Sequence, residues 1–187
     1  MKLSWAIGAY SYSSTQVNLK NPVKSEVMEW CKKNIPDRHL YTDEENMGRE
    51  TTPHITVLYG ILTEDSDKIV EVLIDEVPPI EATLGKITIF DNSDDYDVVK
   101  IDVKSKDLNR LNKLLSDNID NENKYPEYKP HVTIAYVKKG KGKLYSGSDA
   151  FEGRKLSFDT IRFSDKQENA TMISLPVSVA ASLNWRV

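Results

Sequence analysis

Two short stretches of this chain alternate polar and apolar positions in the same way. Pro53-His54-Ile55-Thr56-Val57-Leu58-Tyr59 returns 77 residues later as Pro130-His131-Val132-Thr133-Ile134-Ala135-Tyr136. Four of the seven positions are identical, and two exchange one β-branched residue for another. A period of two belongs to a strand, so His54 and Thr56 are expected on one face and Ile55, Val57 and Tyr59 on the other. The second copy sets His131 beside Thr133 likewise. A strand is also predicted over Lys2 to Tyr12, where Leu3, Trp5 and Ile7 alternate with Ala6, Gly8, Tyr10 and Tyr12. Further strands are read at Ile80 to Phe90, Asp97 to Val103, Leu156 to Ser164 and Ala170 to Val179.

Helical spacing appears three times. Asn21 and Pro22 are an N-cap and first-turn pair before Val23, Val27 and Trp30, predicting a helix to about Asn34. Thr63 is expected to cap a second helix with Ile69, Val70, Leu73, Ile74 and Val77 on one face, stopped by Pro78-Pro79. Ser105 is expected to cap a third, with Leu108, Leu111, Leu115 and Ile119 together. The order reads βαβαβ, βαβ, ββ, with each histidine strand following a strand and a helix. That organisation looks duplicated, and an internal two-fold with a cleft on its axis is expected.

Between the elements, residues 35–52 hold no period and form a long loop. There His39, Tyr41 and Arg49 either reach a ligand or stay in solvent. The acidic turn Asp91-Asn92-Ser93-Asp94-Asp95-Tyr96 is similar to a calcium loop through Asp91, Ser93 and Asp95. It lacks a glycine at the sixth position and a glutamate at the twelfth, so a hairpin turn is expected. Lys138-Lys139-Gly140-Lys141-Gly142-Lys143 reads equally as a phosphate-facing loop or as a solvated turn.

Composition narrows the function classes. With 187 residues, 39% hydrophobic and 29% charged, the chain is of ordinary globular type and can bury a sizeable core. A net charge of −4 argues against a broad grip on long nucleic acid, which needs a basic face. A small anionic ligand in a local pocket stays open. Cys31 is alone, so neither a disulfide nor a thiolate zinc cluster can form within one chain. No stretch reads as a signal peptide or a membrane span, so an intracellular, cytoplasmic protein is expected, and Asn169-Ala170-Thr171 is read as an idle glycosylation acceptor. The chain carries no His-Glu-x-x-His, Gly-x-Ser-x-Gly or phosphate-loop motif, and the expectation is a protein without metal or cofactor.

Two imidazoles and two hydroxyls brought together suit phosphoryl chemistry. A histidine pKa near 6.5 lets one ring take a proton while the other gives one. At His54-Ile55-Thr56-Val57 and His131-Val132-Thr133-Ile134 the sequence resembles the 2H phosphoesterase superfamily, also called LigT-like or 2′-5′ RNA ligase-like, which is defined by two His-x-Thr-x motifs. The resemblance implies one α+β domain over residues 1–187 with two pseudo-symmetric lobes. It implies two antiparallel sheets, helices outside and the motifs lining a central cleft. It also implies metal-free cleavage of a phosphodiester: a 2′,3′-cyclic phosphate, a 2′-5′ linkage or a small cyclic nucleotide. His54 and His131 are then the acid/base pair, and Thr56 and Thr133 the oxyanion contacts. Some viral relatives destroy cyclic oligonucleotide signals of host immunity. An aromatic on their first strand joins the site, where this chain has Tyr10 or Tyr12. Lys138 and Lys139 are further candidates for substrate binding. The departure from the family is at the second motif, where no arginine stands beside the histidine. The partner expected is a small nucleotide or oligonucleotide. The rival reading is a silent protein that sequesters such a ligand in the same cleft, and the sequence leaves the oligomeric state open.

Overall fold

The computed structural model describes residues 11–43, 47–73, 77–123 and 127–175. Among these residues eight strands and three α-helices follow in chain order: β1 (Ser13–Asn18), α1 (Val23–Asn34), β2 (His54–Ile61), α2 (Ser66–Leu73), β3 (Ile80–Phe90), β4 (Tyr96–Lys104), α3 (Lys106–Asn118), β5 (His131–Lys138), β6 (Lys155–Phe158), β7 (Thr160–Ser164) and β8 (Ala170–Ser174). They form two antiparallel sheets of four, ordered β2-β1-β7-β8 and β5-β4-β3-β6. The two histidine strands, β2 and β5, end their own sheets and lie against each other. That arrangement repeats about a pseudo-two-fold, as the duplicated sequence pattern suggests.

One side of each sheet is apolar because every second residue is. Ile55, Val57, Leu58, Val132, Ile134, Val99, Ile101, Ile161 and Phe163 are all buried, and α3 adds Leu108, Leu111 and Leu115, at spacings of three and four, to the same core. Each such side chain contributes about 1.5–3 kcal/mol by leaving water. Helix α3 packs on β3 and on β2 of the other sheet, while α1 packs on β5, so the helices join the two halves. Ser105 caps α3 by accepting from the Leu108 N–H at 3.0 Å.

The strand predicted over Lys2 to Tyr12 falls mostly on residues 1–10, outside the described ones, and the first described strand is the polar run Ser13–Asn18. Three expectations are revised. Asn21 does not cap α1: Pro22 holds the N-cap position, and Asn21 instead accepts from the Ser25 hydroxyl. The α2 cap falls to Asp65, whose carboxylate takes the Asp67 N–H, rather than to Thr63. The single strand expected from Leu156 to Ser164 breaks at Asp159, sending β6 to β3 and β7 to β1. Asp159 is held there by Lys20 and by the Leu175 N–H on its carbonyl.

The long loop after α1 is neither lid nor solvated coil in its described part. Leu40 and Arg49 bridge to Val137 and Ala135, and backbone bonds from Tyr41, Gly48 and Glu50 run along the outer edge of β5. An edge strand left bare would present unpaired backbone groups, and this segment covers them.

Candidate active site

The alternation in the histidine strands changes partway along, and that change shapes the site. In β2 the register steps from Thr15↔Leu58 to Gln16↔Thr56, leaving Val57 as an extra residue. In β5 it steps from Val99↔Ala135 to Lys100↔Thr133, leaving Ile134 extra. These are the same positions of the repeated heptapeptide, each a β-bulge directly after the threonine. Val57 and Leu58 therefore both face the core, and Tyr59 turns out at 42% exposed on the histidine side, not with Ile55 as strict alternation predicts. The freed backbone groups have partners: the Thr15 hydroxyl takes the Leu58 N–H at 3.1 Å and Asn112 Nδ2 donates to the Val57 carbonyl at 2.7 Å. In β5 the Ile134 carbonyl accepts from the Glu50 N–H at 2.9 Å and from Cys31 Sγ at 3.6 Å.

Both imidazoles are held alike. Nδ1 of His54 lies 2.9 Å from the Thr52 carbonyl, and Nδ1 of His131 lies 2.7 Å from the Lys129 carbonyl. A carbonyl only accepts, so Nδ1 carries a proton on each ring and Nε2 is the nitrogen left open. The strand starts are fixed by a matched pair of backbone bonds, Leu19 N–H to Pro53 O at 3.0 Å and Val103 N–H to Pro130 O at 3.1 Å. The Tyr128 hydroxyl, just ahead of the second motif, donates to the Thr56 carbonyl at 2.9 Å and ties one motif to the other.

Register then extends the histidine face inward. On one sheet Asn18 stands opposite His54, and Thr56, Gln16, Arg162 and Met172 form one row across four strands. On the other, Asp102 stands opposite His131, and Thr133, Lys100 and Thr88 form the matching row. The two halves differ in charge. Lys100, buried, is ion-paired with Asp102, donates to the Thr88 hydroxyl at 2.7 Å and sits 4.3 Å over the Phe90 ring. Phe90 in turn meets His131 edge-on at 4.9 Å. Burial pushes the His131 imidazole below its ordinary pKa, the Lys100 charge and His54 add to this, and the Lys129 carbonyl and Asp102 oppose it. Against burial, hydrogen bonds from Lys100 and Thr88 hold Asp102 below the usual carboxylate value. Facing outward from Lys100 and Asp102 is a pocket of about 530 Å³, bordered also by Lys104, Asn109, Tyr128 and Lys129.

His54 and Thr56 lie on one side of β2, His131 and Thr133 on the matching side of β5, and the two strands touch. The remaining candidates lie elsewhere. Tyr10 is outside the described residues. Tyr12 donates to Glu122 at 2.6 Å and packs edge-on against Tyr59 at 5.8 Å, at the far end of β2 from His54. Lys138 is exposed at the far end of β5 from His131, opposite Tyr96. Lys139 donates to the Asp91 and Ser93 carbonyls at 2.5 Å each and pairs with Asp97 at 3.4 Å, so it fastens the acidic hairpin turn. His39 and Arg49 are likewise engaged, with Tyr145 and with Ile35 and Asp37. Among the described residues no three His, Cys, Asp or Glu side chains gather as a metal site, and no helix is long and apolar enough to cross a membrane. Sequence reading missed Gln16, Asn18, Lys100, Asp102 and Arg162. The alternation of Lys100 and Asp102 with Val99, Ile101 and Val103 was the available signal.

The fold is shared with solved structures. TT0787 of Thermus thermophilus matches with a TM-score of 0.63 at 16% identity, covering 89% of this chain and 99% of that one. Escherichia coli LigT complexed with ATP matches at 0.55 and 13%, covering 88% and 94%. Kluyveromyces marxianus Usb1 with uridine monophosphate matches at 0.53 and 10%, covering 90% and 99%. At such identities the likeness establishes the fold, which is LigT-like. No curated protein matches the chain by sequence. The family model of the 2′-5′ RNA ligase superfamily matches residues 29–161. The chain belongs to that superfamily, the 2H phosphoesterases, a class of enzymes that act on phosphodiester bonds.

Proposed function

We propose that the chain cleaves a phosphodiester in a small nucleotide or oligonucleotide, using His54 and His131 as a proton-transfer pair without a metal ion. The observation that carries this reading is the matched fixing of both rings through Nδ1, which leaves two Nε2 atoms presented from equivalent positions on adjoining strands. The Thr56 and Thr133 hydroxyls share that face and have no hydrogen-bond partner among the described residues, so they are available to phosphoryl oxygens. Bound nucleotides in two of the solved relatives agree with a nucleotide substrate.

His131, which burial and Lys100 keep neutral, takes the proton from the attacking oxygen, a water or the ribose 2′-hydroxyl. That oxygen bonds to phosphorus. The phosphorane charge meets the two threonine hydroxyls, and the bond to the leaving oxygen breaks as His54 Nε2–H protonates it. One ring has gained a proton and the other lost one, and exchange with solvent restores both.

The linkage is open to a direct screen. Purified protein is incubated with 2′,3′-cyclic nucleotides, 2′-5′ oligomers and cyclic di- and trinucleotides, and products are read by mass. Cleavage of at least one class, surviving EDTA, is expected. Cleavage of cyclic oligonucleotides before the rest would point to removal of an immune signal. Tight binding with no product over hours would overturn catalysis in favour of sequestration.

A further inference from the structure

Arg162 is a cation that the site described so far does not use. It lies on β7 between Ile161 and Phe163, both buried in the core, so its side chain belongs to the opposite, histidine-bearing face. It is in register with Gln16, which is in register with Thr56. Strands about 4.8 Å apart put Arg162 about 10 Å from Thr56 along that row, a span bridged by the long arginine side chain and one bound anion. Its Nε is buried without a partner, and among the described residues no carboxylate pairs with the guanidinium. Burying part of a guanidinium unpaired is costly unless an anion completes it. In the other half, the row Thr133, Lys100, Thr88 also carries a cation, but Asp102 already neutralises it. The family match ends one residue short of Arg162.

We propose that Arg162 is the anion-binding residue of the cleft, its planar fork taking the two non-bridging oxygens of the phosphate that Thr56 and Thr133 touch. The proposal rests on the reading of the cleft as a phosphodiester site, and the test separates the two. Calorimetry measures the affinities of 3′-AMP and of adenosine for the wild type, Arg162→Met and Arg162→Lys. The wild type is expected to prefer the nucleotide, and Arg162→Met to lose about ten- to a hundredfold on 3′-AMP while keeping its adenosine affinity. Arg162→Lys, which retains charge but not the fork, should fall between and serves if the methionine variant does not fold. Retention of the full nucleotide preference by either variant overturns the clamp and leaves the cleft reading intact. A wild type with no preference for nucleotide over nucleoside overturns both.

Discussion

Replacing Lys100 with methionine keeps the apolar stem over Phe90 and removes the charge. In the native protein that charge is ion-paired with Asp102, bonded to Thr88 at 2.7 Å and placed 4.3 Å over the Phe90 ring, which makes a T-shaped contact with His131. Two consequences follow. Asp102 keeps the Thr88 hydrogen bond but loses its counter-ion. Removing one partner of a fully buried pair costs about 3–5 kcal/mol, and because the Asp102 side chain is 45% exposed, water offsets part of this, leaving about 1–2 kcal/mol. The second consequence is on His131. Lys100 helps hold its pKa down and Asp102 opposes, so the variant leaves an anion where there was a balanced pair, and the imidazole pKa rises. The acid limb of kcat/KM, which reports the base in the free enzyme, then moves to higher pH. Asp102→Asn removes the opposing charge and moves the limb to lower pH. The assay is kcat/KM against pH on whichever phosphodiester the wild type cleaves, with urea unfolding alongside. Limbs that stay put, or that move the same way in both variants, would refute His131 as the base.

Other expectations concern how the site is held. Asn112→Ala takes the donor from the Val57 carbonyl in the bulge and should lower stability by about 1–2 kcal/mol, with a fall in turnover as Thr56 shifts; urea unfolding and initial rates check it. Gly142→Ala would bring a Cβ to 2.7 Å from the Asp97 Cβ and 3.0 Å from Ile89, costing about 1–3 kcal/mol, which a melting curve would show. Burial pushes the Cys31 thiol up to about 11, so iodoacetamide at neutral pH should label it only after denaturation, as mass spectrometry of native and unfolded protein would record.

How much of this was legible in the sequence depends on what each residue faces. Helix α3 and strand β3 could be bounded closely because Ser105, the leucine spacing and the alternating residues of β3 all serve one buried side. Strand β1 was hidden for the converse reason. Its outer face carries Gln16 and Asn18 for the cleft, and its inner face spends Thr15 on the β2 bulge, so no apolar period remains. The bulges were invisible as well, since each is a relation between two strands, and they decide that Tyr59 faces out and Leu58 in. The motif residues could be found because the chain repeats them. Arg162 and Lys100 could not be tied to them, because their place in the rows of Thr56 and Thr133 comes only from register between distant segments.

The central claim is that His54 and His131 act as acid and base on one phosphorus, and the rates of the two single alanine variants on two substrates test it. On a nucleotide phosphodiester with an alkoxide leaving group, each variant should lose about 10²–10⁴-fold in kcat. On the matching p-nitrophenyl ester, whose leaving group needs no proton, His54→Ala should recover most of its rate and His131→Ala should not. Either variant retaining near-normal turnover on the first substrate, or both recovering equally on the second, would contradict the account.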